Sequence, residues 1–254
     1  QYNIAVGSEA LETITTSNAN TAIGYNALYN TTTGAENTVI GSQAGDANTT
    51  GAYNTAVGRH SLGGNSTGSS NVAIGFNALK SSTTTNQSTA IGTNALQSNT
   101  VAANTAVGAD ALTNNTTGAN NTAVGLEALK SINGNINGLT AVGYRAGYTT
   151  STHDNALTAF GFEAAMSNTS AIRTTAIGYR ALRLLTTGGQ NTALGYLAGN
   201  QLTTGSTNTC LGHESCNALV DGDANTSVGY NSMYTANSAT QNVAVGREAM
   251  YSSC

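Results

Sequence analysis

Three histidines, three cysteines and twelve carboxylates are the side chains here with acid–base, nucleophilic or metal chemistry to offer. Their spacing organises none of it. His60, His153 and His213 fall at unrelated positions, and no HExxH, GxSxG, Walker or paired-cysteine zinc spacing occurs. A glycosidase needs two facing carboxylates, and no pair is singled out. The stretch VDGDAN at 220–225 is the one echo of a GGxGxD calcium repeat, and reads as a turn. No catalytic residue, metal ligand or cofactor is expected. Binding chemistry is more regular. Tyr144, Phe162, Tyr179 and Tyr196 recur at an almost constant interval, followed by His213 and Tyr230. Aromatic faces stack on sugar rings and Tyr adds a hydroxyl, so Tyr144, Phe162, Tyr179, Tyr196 and Tyr230 are the candidate glycan contacts. The competing reading is that the rings stack on one another.

That interval belongs to the whole chain. Each candidate ring follows a glycine, and aligning on it gives fifteen positions from Gly7 to Gly246, separated by 17 residues almost throughout, with one 16 and two 18-residue steps. The consensus is Asn-Thr-Ala-(Val/Ile)-Gly, a variable pair, Ala-Leu, then a polar run. Helical repeats need about 33 residues or more, so the period is too short for them. It suits one coil of a parallel β-solenoid: two or three short strands with corners, each coil stacked at about 4.8 Å on the last. Thr, Val and Ile favour the pleated surface, and Gly and Asn the corners. The fold class expected is therefore all-β, a parallel β-solenoid (β-roll) of fifteen coils forming one domain over residues 1–254.

Composition agrees. Charged residues make up 8% of the chain and proline is absent; a proline would remove an N–H that each coil must donate to its neighbour. Low charge in an aperiodic chain would suggest disorder, but stacking makes each weak core continuous. A net charge of −4 with eight basic residues excludes a nucleic-acid patch, and no apolar run reaches the roughly 20 residues of a membrane span. No signal peptide is evident, so a processed chain or a segment of a longer fibre is expected.

One residue before each glycine stands Val, Ile, Leu or Phe, from Val6 to Val245, and one before that nearly always Ala. Side chains alternate along a strand, so the two rows face opposite ways. The expectation is that the Val/Ile row faces the core and the flat Ala row packs against another chain. Four successive coils place Glu127, Arg145, Glu163 and Arg180 two residues after the glycine, an alternating ladder if the coils are in register. In the same region Leu139, Leu157 and Thr174 replace the corner Asn, so a bulged surface is expected.

The phrases NTAVG and NTAIG resemble the head repeats of trimeric autotransporter adhesins, and NTAIGYNAL at 20–28 followed by NTTTG at 30–34 resembles the repeat regions of bacteriophage tail-fibre proteins. The resemblance spans the chain, although the period exceeds that of the adhesin heads and no coiled-coil stalk, anchor or chaperone pattern is read within residues 1–254. It implies a β-roll that trimerises and works outside the cell.

Cys210 and Cys216 fall in the Ala and Leu registers of one coil, which suits two small buried residues or, in an oxidising compartment, a disulfide; Cys254 is left over. Several Asn-x-Thr/Ser triplets occur, including those beginning at Asn30, Asn48, Asn65, Asn114, Asn115 and Asn225, as so much Thr, Ser and Asn would give by chance, and Thr clusters offer sites for O-linked sugar. The leading function class is an extracellular adhesive fibre of a phage or bacterial surface that binds itself, as a trimer or end-to-end filament, and a cell-surface glycan. The second is a filament subunit with no specific ligand. Ice binding trails: it needs Thr at alternate positions on one exposed face, and here the regular Thr is expected beside a buried Val/Ile row.

Overall fold

The computed structural model describes residues 2–132, 134–150 and 156–252, and among these there is no helix. The protein is a parallel β-solenoid with a turn of about 17 residues. It divides into two compact units, Gln1–Leu126 and Glu127–Cys254. His153 and Cys254 lie outside the described residues.

In the first unit eight strands follow one another as β1 (Ile4–Val6), β2 (Thr21–Ile23), β3 (Thr38–Ile40), β4 (Thr55–Val57), β5 (Val72–Ile74), β6 (Thr89–Ile91), β7 (Thr105–Val107) and β8 (Thr122–Val124). Each pairs in parallel with the next in strict register, Thr38 on Thr55, Val39 on Ala56 and Ile40 on Val57. The repeat glycine closes each strand. Its φ is +129° at Gly58 and +133° at Gly75, and a Cβ on Gly58 would lie 2.7 Å from the Gly75 carbonyl oxygen. Backbone conformation and the approach of the next coil both exclude a side chain there.

The core reverses the expected order of faces. From Ala22 onward the Ala row is fully buried, while the Val/Ile row is exposed, Ile23, Ile40, Ile74 and Ile91 keeping 36–38% of their surface. The reason is volume. A 17-residue coil is narrow, and in most coils of this unit its interior is already filled by a Leu four residues after the glycine, such as Leu28, Leu62 and Leu79, all at most 1% exposed. Only Ala fits opposite. One coil shows the exchange directly: Gly45 replaces that Leu, and Val39 replaces Ala, its methyls 3.6 Å from where a Gly45 Cβ would be. The Leu position is left-handed, with φ of 51° at Leu28 and 50° at Leu79, so burying Leu there outweighs roughly 1–2 kcal/mol of backbone cost per residue. The Ala row, enclosed by its own chain, cannot be the surface that meets another.

The corner Asn forms a buried spine. Asn37 Oδ1 accepts from the Asn54 N–H at 2.9 Å and Nδ2 at 3.1 Å, while Asn54 Nδ2 also donates to the Gly68 carbonyl at 2.9 Å. Asn71 repeats the pattern on Asn54. Each amide thus supplies the acceptor that the next coil's backbone N–H needs where the strand turns away. A second buried amide row runs through Asn48, Asn65, Asn99 and Asn115. Among the Asn-x-Thr/Ser acceptors, Asn48, Asn65, Asn115 and Asn225 are at most 1% exposed and closed to sugar attachment in the folded chain, whereas Asn30 and Asn114 are exposed.

The second unit contains β9 (Ser131–Ile132), β10 (Thr140–Val142), β11 (Thr149–Thr150), β12 (Leu157–Phe160), β13 (Thr174–Ile177), β14 (Thr192–Leu194), β15 (Thr209–Leu211), β16 (Thr226–Val228) and β17 (Val243–Val245). β10 and β12 to β17 pair in sequence order, and β9 pairs with β11. Where the corner Asn is lost, β12 and β13 grow to four residues and the Thr174 N–H bonds the Ala156 carbonyl at 3.0 Å. Backbone replaces the missing side-chain acceptor. The described residues there are in register, Leu157 on Thr174, rather than bulged. Leu185, Leu202 and Leu219 occupy the second amide row and are fully buried.

Candidate functional site

The residue after the repeat glycine begins a turn on the outside of each coil. In the second unit the register delivers rings there at six successive steps, with Arg247 after the last of them, so the rings stack. Tyr144 and Phe162 have centroids 5.0 Å apart, Phe162 and Tyr179 5.2 Å, Tyr179 and Tyr196 5.2 Å, Tyr196 and His213 4.9 Å, and His213 and Tyr230 5.2 Å, with interplanar angles of 10–28°. The competing sequence reading, rings stacked on rings, is what the geometry has. All five predicted contacts lie in one column with His213 among them. Phe162, Tyr179, Tyr196 and Tyr230 remain 37–46% exposed. Because interior ring faces cover one another, what solvent meets is ring edges and phenol hydroxyls. Edges carry the positive part of the ring quadrupole and hydroxyls donate and accept, so the column suits oxygen-rich ligands lying along its edge.

Charged residues flank the column one position on. Arg145 Nε donates to Glu127 at 2.6 Å and Arg180 Nε to Glu163 at 2.8 Å, the alternating pairs expected from the sequence. Lys130 adds a 2.7 Å bond to Glu127, and Arg183 a 2.8 Å bond to Glu163, so two basic groups converge on each carboxylate. Sequence reading missed Lys130 and Arg183, which lie five residues after their glycines; Lys130 reaches Glu127 across one turn and Arg183 reaches Glu163 from the next coil. The Lys130 hydrogen bond, then that of Arg145, holds the Glu127 carboxyl below its ordinary range. The guanidinium of Arg145 lies 5.1 Å from the Tyr144 ring and 5.4 Å from Tyr148, and that of Arg180 lies 5.0 Å from Tyr179. These contacts fix cations beside the rings.

No protein-family model and no curated protein matches the chain. The site therefore rests on its own geometry.

Other candidates resolve locally. Cys210 and Cys216 form a disulfide across the interior of one coil, with Cα atoms 5.8 Å apart. Asp223 accepts the Ser206 N–H at 2.6 Å, consistent with a turn. His60 meets Phe76 edge-on at 6.4 Å, far from His213 in sequence and in a different register. Thr15, Thr32, Thr49 and Ser66 hydroxyls each donate to a carbonyl of the following coil at 2.8–3.2 Å, which ties part of the Thr-rich run to stacking.

Proposed function

We propose that the chain is an adhesive segment of an extracellular fibre that self-associates, as a trimer or an end-to-end filament, and presents its ring column to a cell-surface glycan or other receptor. The carrying observation is the six-ring column, exposed along its edge and braced by Arg145 and Arg180. Repeat phrases like those of tail fibres and adhesin heads support the same reading. A ligand lying along the axis meets the same chemistry at each coil, so weak contacts add. The test is glycan or cell binding with Tyr179→Phe and Tyr196→Phe together, which remove two hydroxyls and keep the stack. Loss of binding at unchanged melting is expected; unchanged binding contradicts the site.

The filament subunit without a ligand is favoured by one observation, that interior ring faces are covered by neighbouring rings. Light scattering under native conditions tests self-association in either reading, and a monomer of 25.5 kDa contradicts both. Any lateral contact must use an outward face, since the Ala row is internal.

A further inference from the structure

The outward face of β2 to β8 has no part in the ring column. Its first row is Thr21, Thr38, Thr55, Val72, Thr89, Thr105 and Thr122, and its second is Ile23, Ile40, Val57, Ile74, Ile91, Val107 and Val124. Every one of the fourteen is β-branched and none is charged. Thr and Val share a shape, so one outline repeats at about 4.8 Å along the axis and about 6.7 Å across each strand. All are half-buried to exposed, hemmed by the neighbours above and below.

The hydroxyls are the second observation. Elsewhere in the unit Thr32 and Thr49 donate to carbonyls of the next coil. On this face, among the described residues, the Oγ1 atoms of Thr21, Thr38, Thr55, Thr89, Thr105 and Thr122 make no hydrogen bond within the chain. The Val/Ile row is outward rather than buried as the sequence suggested, so the face holds a row of free hydroxyls, broken only at Val72, beside a row of methyls. Thr thus stands at one of its two outward positions and a β-branched methyl residue at the other. Protein-binding surfaces are enriched in aromatic, Met and Arg anchors that fill pockets. This face has none, and no knob larger than its neighbours.

We propose that this face binds ordered water, and through it the surface of ice. The methyls hold water in a cage over the strand, the Thr hydroxyls anchor that cage by hydrogen bonds, and the two repeats of the mesh lie close to those between oxygen rows in ice. Absence of charge leaves the cage undisturbed. The face of the second unit is a poorer match, because Phe160, Leu194 and Leu211 interrupt the β-branched outline. The proposal stands apart from the adhesive reading, which uses Tyr residues of the other unit.

The experiment takes the full chain, measures its partition into slowly grown ice and its thermal hysteresis, and repeats both with Thr89→Lys and Thr105→Lys together. Thr84→Lys, on an exposed turn away from the face, is the control. Expected is capture of the parent and the control in ice and loss of both activities in the face variant, at similar melting temperatures. If the lysines unfold the unit, Thr89→Val with Thr105→Val is read instead; it keeps the outline, removes two anchors, and should lower the hysteresis. Exclusion of the parent chain from ice, or unchanged activity in a folded face variant, overturns the proposal.

Discussion

Two solutions to one corner meet in this chain, and only the first coils of the second unit depart from the amide spine, which Asn191, Asn208 and Asn225 resume. In the first unit, Asn20, Asn37, Asn54 and Asn71 pass hydrogen bonds from coil to coil through side-chain amides. At the start of the second, Leu139, Leu157 and Thr174 hold that position; the Thr174 N–H bonds backbone instead, and Leu185, Leu202 and Leu219 fill what had been the second amide row. A solenoid corner can therefore be closed by a polar spine or by a longer strand over an apolar core, provided no donor is left without an acceptor. The outside changes with the inside. The first unit offers an even Thr and Val/Ile face, the second stacked rings, ion pairs and a disulfide.

What the units share should fail alike and hardest. Gly75→Ala and Gly178→Ala each drive a Cβ to within 2.5 Å and 2.2 Å of the next glycine's carbonyl oxygen, and each should cost more than about 3 kcal/mol in denaturant titrations. A mild effect in one unit would mean that its coils are not stacked as described. Next come exchanges between polar and apolar interior rows. Asn54→Leu strands the Asn71 N–H and leaves the Gly68 carbonyl only the Asn65 amide as a side-chain donor, and Leu202→Asn buries an amide among leucines, so each should destabilise by about 2–4 kcal/mol. Tolerance of Leu202→Asn would erase the distinction between polar and apolar interiors.

Much of this was legible in the sequence because periodicity is a global signal. Fifteen glycines at one spacing leave little but a solenoid, and register then dictates that Tyr144, Phe162, Tyr179 and Tyr196 form a column and that Glu127 meets Arg145. Which side of the strand faces inward was not legible. Alternation separates Ala from Val/Ile but has no sign, and hydrophobicity alone points the larger residue inward. The sign came from the volume of Leu28 and its equivalents, which reach the interior only through a left-handed backbone that side chains rarely adopt. The Lys130 and Arg183 partners were missed because neither the turn that folds Lys130 back on Glu127 nor the reach of Arg183 to Glu163 of the preceding coil has a sequence signature.

Smaller effects sharpen the same contrast. Tyr179→Ala removes two stacking contacts and should lower the stability of the second unit by about 1–2 kcal/mol, with hydrogen exchange in the first unit unchanged. The smallest is electrostatic. Glu127 is held below its ordinary range when folded, so its ion pairs contribute above the usual carboxylate pKa and are lost as pH falls through the depressed value. Stability against pH from neutral to about pH 3 should therefore flatten by up to about 1 kcal/mol in Glu127→Gln; an unchanged acid limb would place the pH dependence elsewhere.

The fold turns most on the sense of the strand, Ala inward and Val/Ile outward. Adjacent residues of β6 decide it: Ala90 is fully buried and Ile91 is 36% exposed. Single variants Ala90→Cys and Ile91→Cys, treated with a soluble maleimide under native conditions and read by peptide mass mapping, should differ sharply. Rapid labelling at 91 and protection at 90 until denaturant is added is the predicted result; rapid labelling at 90 with protection at 91 would contradict the fold as described.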